Sequence, residues 1–577
     1  MKKWVLNNSL YPEAEILQKE LKVPLVFANL LAQRGMSNFQ EAKKFFRPSK
    51  DDFIDPFLML NMNKAVDRII LSIERNEKVL VYGDYDVDGT CSVALMYLFL
   101  KQIGIDVSYY QPDRYKEGYG ISMLGVDFAI ENDVNLIVAL DCGVKAIDQA
   151  IKLKDNGVDL IICDHHLPAT ELPVCEAMLN PKQANCSYPF KELCGCAIGF
   201  KLIQGLASTL SLDQEMVDVY LDLVAIATAA DIVPMVEENR VFVKLGLEQI
   251  NNQPRKGIAE IVKFAKRKGK LESSDLVFAI GPRINAAGRL GHASMAVELL
   301  ASTSSTQAKN SAQQIEEINL QRREIDKKTT LEALAMLENA KEKVTTVVFS
   351  SNWHKGVVGI VASRLIETYY RPTVVLCEDG EYISGSVRSI KGFDVHAVLL
   401  EISDVFVRFG GHKYAAGVTL KKDRLEEFSQ RFEQAVKSKI SEDILTEKIN
   451  IDAVLIPLDL ARDKKQNPFP KLFRLVDQLA PFGPGNMRPV FMLKNMVDAG
   501  STRIVGENHL KLTIKEPGGN LTLDGIGFGL GKLAPLLKSS EGNLVDVAFS
   551  LEKNEFRGSV SVQLRVRDLV PSNESAI

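Results

Sequence analysis

Several protein classes are excluded by what this 577-residue chain lacks. No apolar run approaches the ~20 residues that span a bilayer. The opening MKKWVLNNSLYPEAE has neither the apolar core nor the small-residue cleavage site of a secretory signal, so a cytoplasmic protein without membrane contact is expected. There is no excess of positive charge. Against 70 Lys and Arg stand 74 Asp and Glu, a net charge of −4. No global field therefore draws the chain to nucleic acid, and any such binding must use local basic surface. Cysteine is scarce, with 8 in the chain. Five fall between Cys163 and Cys196, yet only Cys194 and Cys196 are close, as C-x-C, with no C-x-x-C pair. Reduced, buried thiols are expected rather than a disulfide framework or a structural zinc. Internal repeats and low-complexity segments are absent. Glycine and proline are missing between Gly291 and Gly356.

What is present fits a soluble multidomain protein. The length exceeds one hydrophobic core and implies about three or four domains. The hydrophobic fraction of 46% and charged fraction of 25% are ordinary for a globular chain. Residues 1–48 read as a polar helical segment. From 49 to 306, apolar runs such as KVLVYG (78–83), VNLIVAL (134–140) and VDLIIC (158–163) alternate with helical stretches. This is the βαβ pattern of a parallel sheet covered by helices on both faces. A further buried run, LDLVAIATAAD (221–231), fits helix or strand equally because of its alanines. The glycine- and proline-free stretch predicts one long connecting helix over 307–343, ~55 Å in length. Residues 344–437 begin a second, smaller α/β domain, and a cleft between the two is the expected active site. Residues 447–572 read as short strands broken by turn signals such as PGGN, the pattern of a small β-barrel.

Each of the three α/β strands ends at an aspartate: Asp84, Asp141 and Asp164. Sites in open α/β sheets form at the carboxyl ends of strands, so these acids are expected to converge. GDYDVDG (83–89) resembles the start of a calcium loop, D-x-D-x-D-G, but that motif needs a glutamate at its twelfth position and a preceding helix. Counting from Asp84, the twelfth position is Leu95, and a strand precedes the loop. The calcium reading fails. The surviving alternative is a catalytic metal site, with Asp231 and Asp164-His165-His166 as further members. Clustered carboxylates repel unless a cation neutralises them. Imidazole beside carboxylates suits Mn²⁺, Mg²⁺ or Fe²⁺ better than calcium.

GDYDVDG, ALDCG (139–143), CDHH (163–166) and ATAADIVP (227–234) resemble, in order, the four acid motifs of the DHH phosphoesterase superfamily. PRINAAGRLGHA (282–293) and FGGHKYAAG (409–417) resemble further motifs, the second belonging to the DHH-associated domain. Within the superfamily the chain is most similar to the RecJ family of single-strand-specific exonucleases, which adds the long helix and a C-terminal oligonucleotide-binding (OB) fold. Family II pyrophosphatases carry histidine where this chain has Tyr82, which argues against that activity. The resemblance implies direct metal ligation by Asp86, Asp88, Asp141, His165 and Asp231. Asp84 is either a ligand or an acid behind the ligands. His166 touches the scissile phosphate or orients the attacking water. The implied cofactors are two divalent cations, Mn²⁺ or Mg²⁺.

Cationic groups are needed beside such a centre. Arg114, in QPDRYKEGYG, suits a 5′-terminal phosphate. Asn285 and Arg289 lie in the glycine-flanked NAAGRLG, Ser386 and Arg388 in SGSVRS, and His412 in GGHKYAAG. In the barrel, Arg503, Lys511, Phe528, Phe556 and Arg557 are candidate single-strand contacts. The resemblance implies a monomer that degrades single-stranded DNA from the 5′ end in recombination and repair. Single-strand-binding protein and a RecQ-type helicase are its implied partners. Two alternatives stand beside it: a phosphodiesterase for short RNA or cyclic dinucleotides, and a non-catalytic DNA-binding relative. The long helix and barrel count against the first, the complete acid set against the second.

Overall fold

The structure, a computed structural model, describes residues 2–267, 269–337, 343–462, 469–538, 543–556 and 558–573. They fall into two compact units. One comprises Leu6–Glu316 with the chain from Asn450 onward; the other comprises Glu317–Ile449 with the N-terminal residues up to Val5.

In the first unit the expected parallel sheet forms from β1 (Lys78–Gly83), β2 (Asp106–Tyr110), β3 (Leu136–Leu140), β4 (Asp159–Cys163) and β5 (Ala177–Leu179). Neighbours pair parallel in the order β2-β1-β3-β4-β5. Strands β1, β3 and β4 are buried on both faces, so their sequences read as unbroken apolar runs rather than alternations. Val79 and Val81 pack beneath α1 (Val87–Gln102) and α2 (Gly195–Thr209). Leu80 and Tyr82 point to the opposite face, into a core shared with the helices Met123–Glu131 and Ile147–Asp155. The connection from β1 leads to one edge, and the next crosses back to β3. The carboxyl ends of β1 and β3 therefore frame a topological switch point.

The ambiguous run 221–231 is a helix, α3 (Leu221–Ala230), buried on nearly all sides. Small alanine side chains let it pack closely between α1, α2 and α4 (Glu237–Asn252). Next come α5 (Gly281–Leu290) and the long helix α6, described over Ser305–Met336 within the glycine- and proline-free stretch expected to be a connecting helix. Its 32 described residues span ~48 Å. Residues 338–342 lie outside the described residues. The division between units falls within α6, after Glu316.

The second unit carries a mixed sheet of β6 (Thr346–Ser350), β7 (Thr373–Asp379), β8 (Tyr382–Arg388), β9 (Phe406–His412) and β10 (Ala415–Lys421), ordered β9-β10-β8-β7-β6. Only β6 and β7 pair parallel.

The C-terminal strands β11 (Phe491–Asp498), β12 (Arg503–Val505), β13 (His509–Lys515), β14 (Leu523–Gly527), β15 (Val545–Phe556) and β16 (Ser559–Pro571) form a barrel. The order β11-β15-β16-β14-β13 closes where Val497 and Asp498 of β11 pair with Lys515 and Ile514 of β13. The N-terminal helices do not stand apart. Leu17, Phe27 and Leu31 join Leu472, Phe491 and Phe549 of the barrel region in one apolar core. Among the described residues, no helix is long and apolar enough to cross a membrane.

Candidate metal centre

The carboxyl ends of β1, β3 and β4 deliver Asp84, Asp141 and Asp164 side by side, as the strand-end pattern predicts. The loop after β1 turns at once into α1. Asp86 caps this helix, its Oδ1 accepting from Gly89 N at 3.0 Å. That leaves Asp88 in the first turn, pointing at the start of α2. Its Oδ2 accepts from Gly195 N at 2.6 Å and its Oδ1 from Cys196 N at 2.8 Å. The C-x-C pair is thus a helix start that receives an acid, not a metal site. Its amides and the positive end of the α2 dipole hold Asp88. Among the described residues all eight cysteines are free thiols.

His165 joins the acids. Its Nε2 lies 3.2 Å from Asp141 Oδ1, 3.7 Å from Asp231 Oδ2 and 4.0 Å from Asp88 Oδ2. Asp231 reaches the cluster from the C-terminal end of α3. Asp141 is held in the left-handed region, φ 57°, a conformation that costs energy outside glycine and is tolerated best by Asp and Asn. Its amide donates to Cys163 O at 2.9 Å, and its carbonyl accepts from Tyr119 Oη at 3.0 Å.

The electrostatics describe a site built for cations. Burial, and then repulsion from Asp86, pushes the Asp88 carboxyl up to about 7, against the opposing pull of the two amides. Burial raises Asp84, Asp141 and Asp231 well above the usual carboxylate range, with neighbouring acids adding to it in each case. Asp84 Oδ1 and Asp141 Oδ1 are buried and accept no hydrogen bond among the described residues. Buried carboxylate oxygens without donors, facing other carboxylates and one imidazole, fit divalent cations. His165 with Asp141 and His166, and again with Asp88 and Asp231, places three ligand atoms within 4.8 Å of one another.

Asp164 behaves differently. Burial works most strongly against its charge, but the hydrogen bonds and attraction of His166 and the Val144 amide together outweigh this and lower its pKa. Its Oδ1 accepts from His166 N at 3.1 Å and lies 2.7 Å from His166 Nδ1, while its Oδ2 accepts from Val144 N at 2.9 Å. Asp164 therefore orients His166 and fixes the loop after β3. Tyr119 Oη lies 3.2 Å from the ring nitrogens of His166, a contact the sequence reading missed. Tyr82, by contrast, is buried beneath the site, its hydroxyl donating to Gly120 O at 3.1 Å and accepting from Ser122 N at 3.0 Å. It adds no ligand to the acids.

Tyr85 collects the cationic residues. The Arg114 guanidinium stacks over the Tyr85 ring at 4.6 Å. Gly288 lets α5 approach so closely that a Cβ there would lie 2.8 Å from Tyr85 O. Arg289 follows, its carbonyl accepting from Tyr115 Oη at 2.7 Å. Asn285, one turn earlier, has a buried Oδ1 that accepts no hydrogen bond among the described residues. Arg114 thus stacks on the acid loop, and the helix that carries Asn285 and Arg289 meets that loop at Gly288.

Ser386, Arg388 and His412 lie in the second unit. Arg388, Ala415 and His412 form one row across β8, β10 and β9, with Ser386, Gly417 and Gly410 in the next. The Arg388 guanidinium donates to Ser386 Oγ at 2.7 Å. The helix Lys355–Tyr369 packs over this pair, a Cβ at its Gly359 lying 3.0 Å from Arg388 Nη2 and 3.2 Å from Ser386 Oγ, while His412 stands exposed at the far end of the row. In the barrel, Arg503 and Lys511 pair across β12 and β13. Phe528 is half exposed, with the Arg565 guanidinium 4.6 Å from its ring centre and His509 edge-on at 5.2 Å. Phe556 and Arg557 lie outside the residues whose side chains are described.

Comparison with known proteins agrees with this geometry. Residues 78–228 match the DHH family N-terminal domain, 341–438 the DHHA1 domain and 465–568 the RecJ OB domain. The sequence is 35% identical to the single-stranded-DNA-specific exonuclease RecJ of Bacillus subtilis, over 99% of this chain and 71% of that protein. It is 32% identical to the Escherichia coli protein of the same name, over 95% and 96% of the two chains. The crystal structure of RecJ from Thermus thermophilus in complex with Mn²⁺ superposes with a TM-score of 0.82 at 25% identity, covering 98% of this chain and 79% of that one.

Proposed function

The chain belongs to the RecJ family of DHH phosphoesterases, and from that membership we propose that it is a metal-dependent exonuclease degrading single-stranded DNA 5′→3′ to 5′-mononucleotides. The observation that carries this reading is the acid cluster itself. Asp88, Asp141 and Asp231 surround His165 Nε2 at 3.2 to 4.0 Å, with Asp86 and Asp84 alongside.

Asp86, Asp88, Asp141, His165 and Asp231 would hold two divalent cations, Mn²⁺ or Mg²⁺, with Asp84 available as a sixth ligand. Bound there, such ions make water a strong nucleophile at neutral pH and neutralise the charge developing on the phosphate. The protein's own groups do the rest. The Gly195 and Cys196 amides fix Asp88, and the left-handed backbone fixes Asp141, so the ligands stand in place before substrate arrives. His166, held by Asp164 and Tyr119, would donate to the scissile phosphate or hold the attacking water's orientation. Arg114, Asn285 and Arg289 would receive phosphates beside the metals; Ser386, Arg388 and His412 would clamp a further one. Arg503, Lys511 and the Phe528 ring would bind the strand at the barrel through charge and stacking. We read the chain as segments 1–48, 49–306, 307–343, 344–437 and 447–572, acting as a cytoplasmic monomer in recombination and repair. Single-strand-binding protein and a RecQ-type helicase are its proposed partners.

The test uses purified protein and its Asp141→Ala variant with 5′- and 3′-labelled single strands, duplex DNA, RNA and cyclic dinucleotides, each with Mn²⁺ or Mg²⁺. Metal-dependent loss of the single strand from its 5′ end, abolished in the variant, is expected. An inert wild-type enzyme would refute the reading, and activity surviving in Asp141→Ala would refute the site.

A further inference from the structure

Three consecutive buried polar residues, Glu238, Asn239 and Arg240, open α4 without contributing a ligand to the acid cluster. Burying such a tripeptide is costly unless each member is bonded, and each is bonded to a different part of the first unit. The Glu238 carboxylate accepts from Ile54 N at 3.1 Å and Lys201 Nζ at 2.8 Å. The Arg240 guanidinium donates to Phe45 O at 3.0 Å, Leu479 O at 2.9 Å and Ala480 O at 2.8 Å. Asn239, between them, is fully buried and donates from Nδ2 to Glu192 O at 2.6 Å and Pro234 O at 3.0 Å.

Those two carbonyls belong to the two loops that complete the metal centre. Glu192 precedes the Cys194–Cys196 turn whose amides grip Asp88. Pro234 closes the turn that begins at Asp231. That turn is strained, with the β-branched Ile232 at φ 61°, and the backbone is strained again at Glu237, φ 45°, where α4 begins. Such conformations persist only where surrounding contacts over-determine them. The turn is pinned from its other side by Met235 N donating to Pro484 O at 2.6 Å, in the segment that leads to the barrel.

We propose that Asn239 is a positioning residue of the metal centre, one amide group that sets the spacing between the Glu192–Cys196 loop that grips Asp88 and the loop that begins at Asp231. Its two N–H bonds match two carbonyls, so neither a hydroxyl nor an alkyl group can replace it. The proposal rests on the metal-centre reading above. It extends the centre beyond its ligands to a side chain that touches neither substrate nor cation. It also joins the centre mechanically, through neighbouring Arg240, to residues 479–481 ahead of the barrel.

The test measures Mn²⁺ binding by calorimetry in the absence of DNA, alongside kcat, KM and Tm, for the full chain. Asn239→Ala is compared with Asn239→Ser, which keeps one donor, and with Leu247→Ala, which truncates a buried side chain on the same helix away from both loops. Asn239→Ala is expected to weaken Mn²⁺ binding by about tenfold or more and to lower kcat with KM for a single strand unchanged. Asn239→Ser should fall between Asn239→Ala and wild type, and should keep the proposal testable if Asn239→Ala fails to fold. Leu247→Ala should lower Tm and leave Mn²⁺ affinity within twofold. Mn²⁺ binding by either Asn239 variant equal to wild type, or a loss in Leu247→Ala as large as theirs, would overturn the proposal. A wild-type chain that binds no Mn²⁺ would instead overturn the metal-centre reading on which it rests.

Discussion

Gly195→Ala adds a single methyl group at the point where α2 meets the acid cluster, and its consequences follow from the geometry. A Cβ at this position would lie 2.5 Å from Asp141 Cβ, 2.7 Å from Asp141 Cα and 3.0 Å from Asp141 Oδ1. Ordinary contact begins near 3.4 Å, so either Asp141 or the start of α2 must retreat by about 1 Å. Asp141 cannot yield cheaply, because its backbone is already left-handed and tied to Cys163 O and Tyr119 Oη. Moving α2 instead draws the Gly195 and Cys196 amides away from Asp88. Overpacking of this kind costs about 1–3 kcal/mol, which lowers Tm by a few degrees and leaves the chain folded. The chemical cost is larger, since a misplacement of ~1 Å can lower rate ~100-fold. Gly195→Ala should therefore bind Mn²⁺ at least several-fold more weakly in calorimetry. In a labelled-strand assay it should lose about two orders of magnitude in kcat while keeping KM. A variant with kcat within twofold of wild type would refute the argument that this close approach sets the ligand geometry.

Two further outcomes follow. The carboxyls of Asp84, Asp88, Asp141 and Asp231 are raised by burial and mutual repulsion, Asp88 to about 7, against about 4 for an unfolded aspartate. Between those values the folded chain binds more protons than the unfolded one, so metal-free stability should fall as pH rises from about 4 through 7. Metal must displace these protons, so Mn²⁺ binding should strengthen over the same rise and release protons at pH 7; no release in buffers of different ionisation enthalpy would contradict it. In the barrel, Phe528→Ala removes the exposed ring beneath Arg565. Loss of stacking worth about 1–3 kcal/mol per base should weaken binding of a long single strand in fluorescence anisotropy by roughly fivefold or more. Cleavage of a short oligonucleotide should be unaffected, and unchanged long-strand binding would remove Phe528 from the interface.

The sequence by itself determined the elements of the catalytic sheet and where its acids stand. Strand ends at Asp84, Asp141 and Asp164 were legible because unbroken β-branched runs stop where the chain leaves a buried parallel sheet. The barrel was legible from its short strands and turn residues. Long-range partners were not, because local pattern carries no record of what packs against it. Only the tertiary structure decided that the Cys194–Cys196 pair is a helix start gripping Asp88, and that Tyr119 reaches His166 across 47 residues. It alone seats the N-terminal helices in the barrel's core and lets Asn239 bridge the loop that grips Asp88 and the loop that carries Asp231. The run 221–231 shows the same limit, since its alanines suit either conformation and only close packing among α1, α2 and α4 selects the helix. Ligand identity resides in residue type and spacing, which a sequence displays. Ligand geometry resides in backbone amides and close approaches between distant segments, which exist only once the chain has folded.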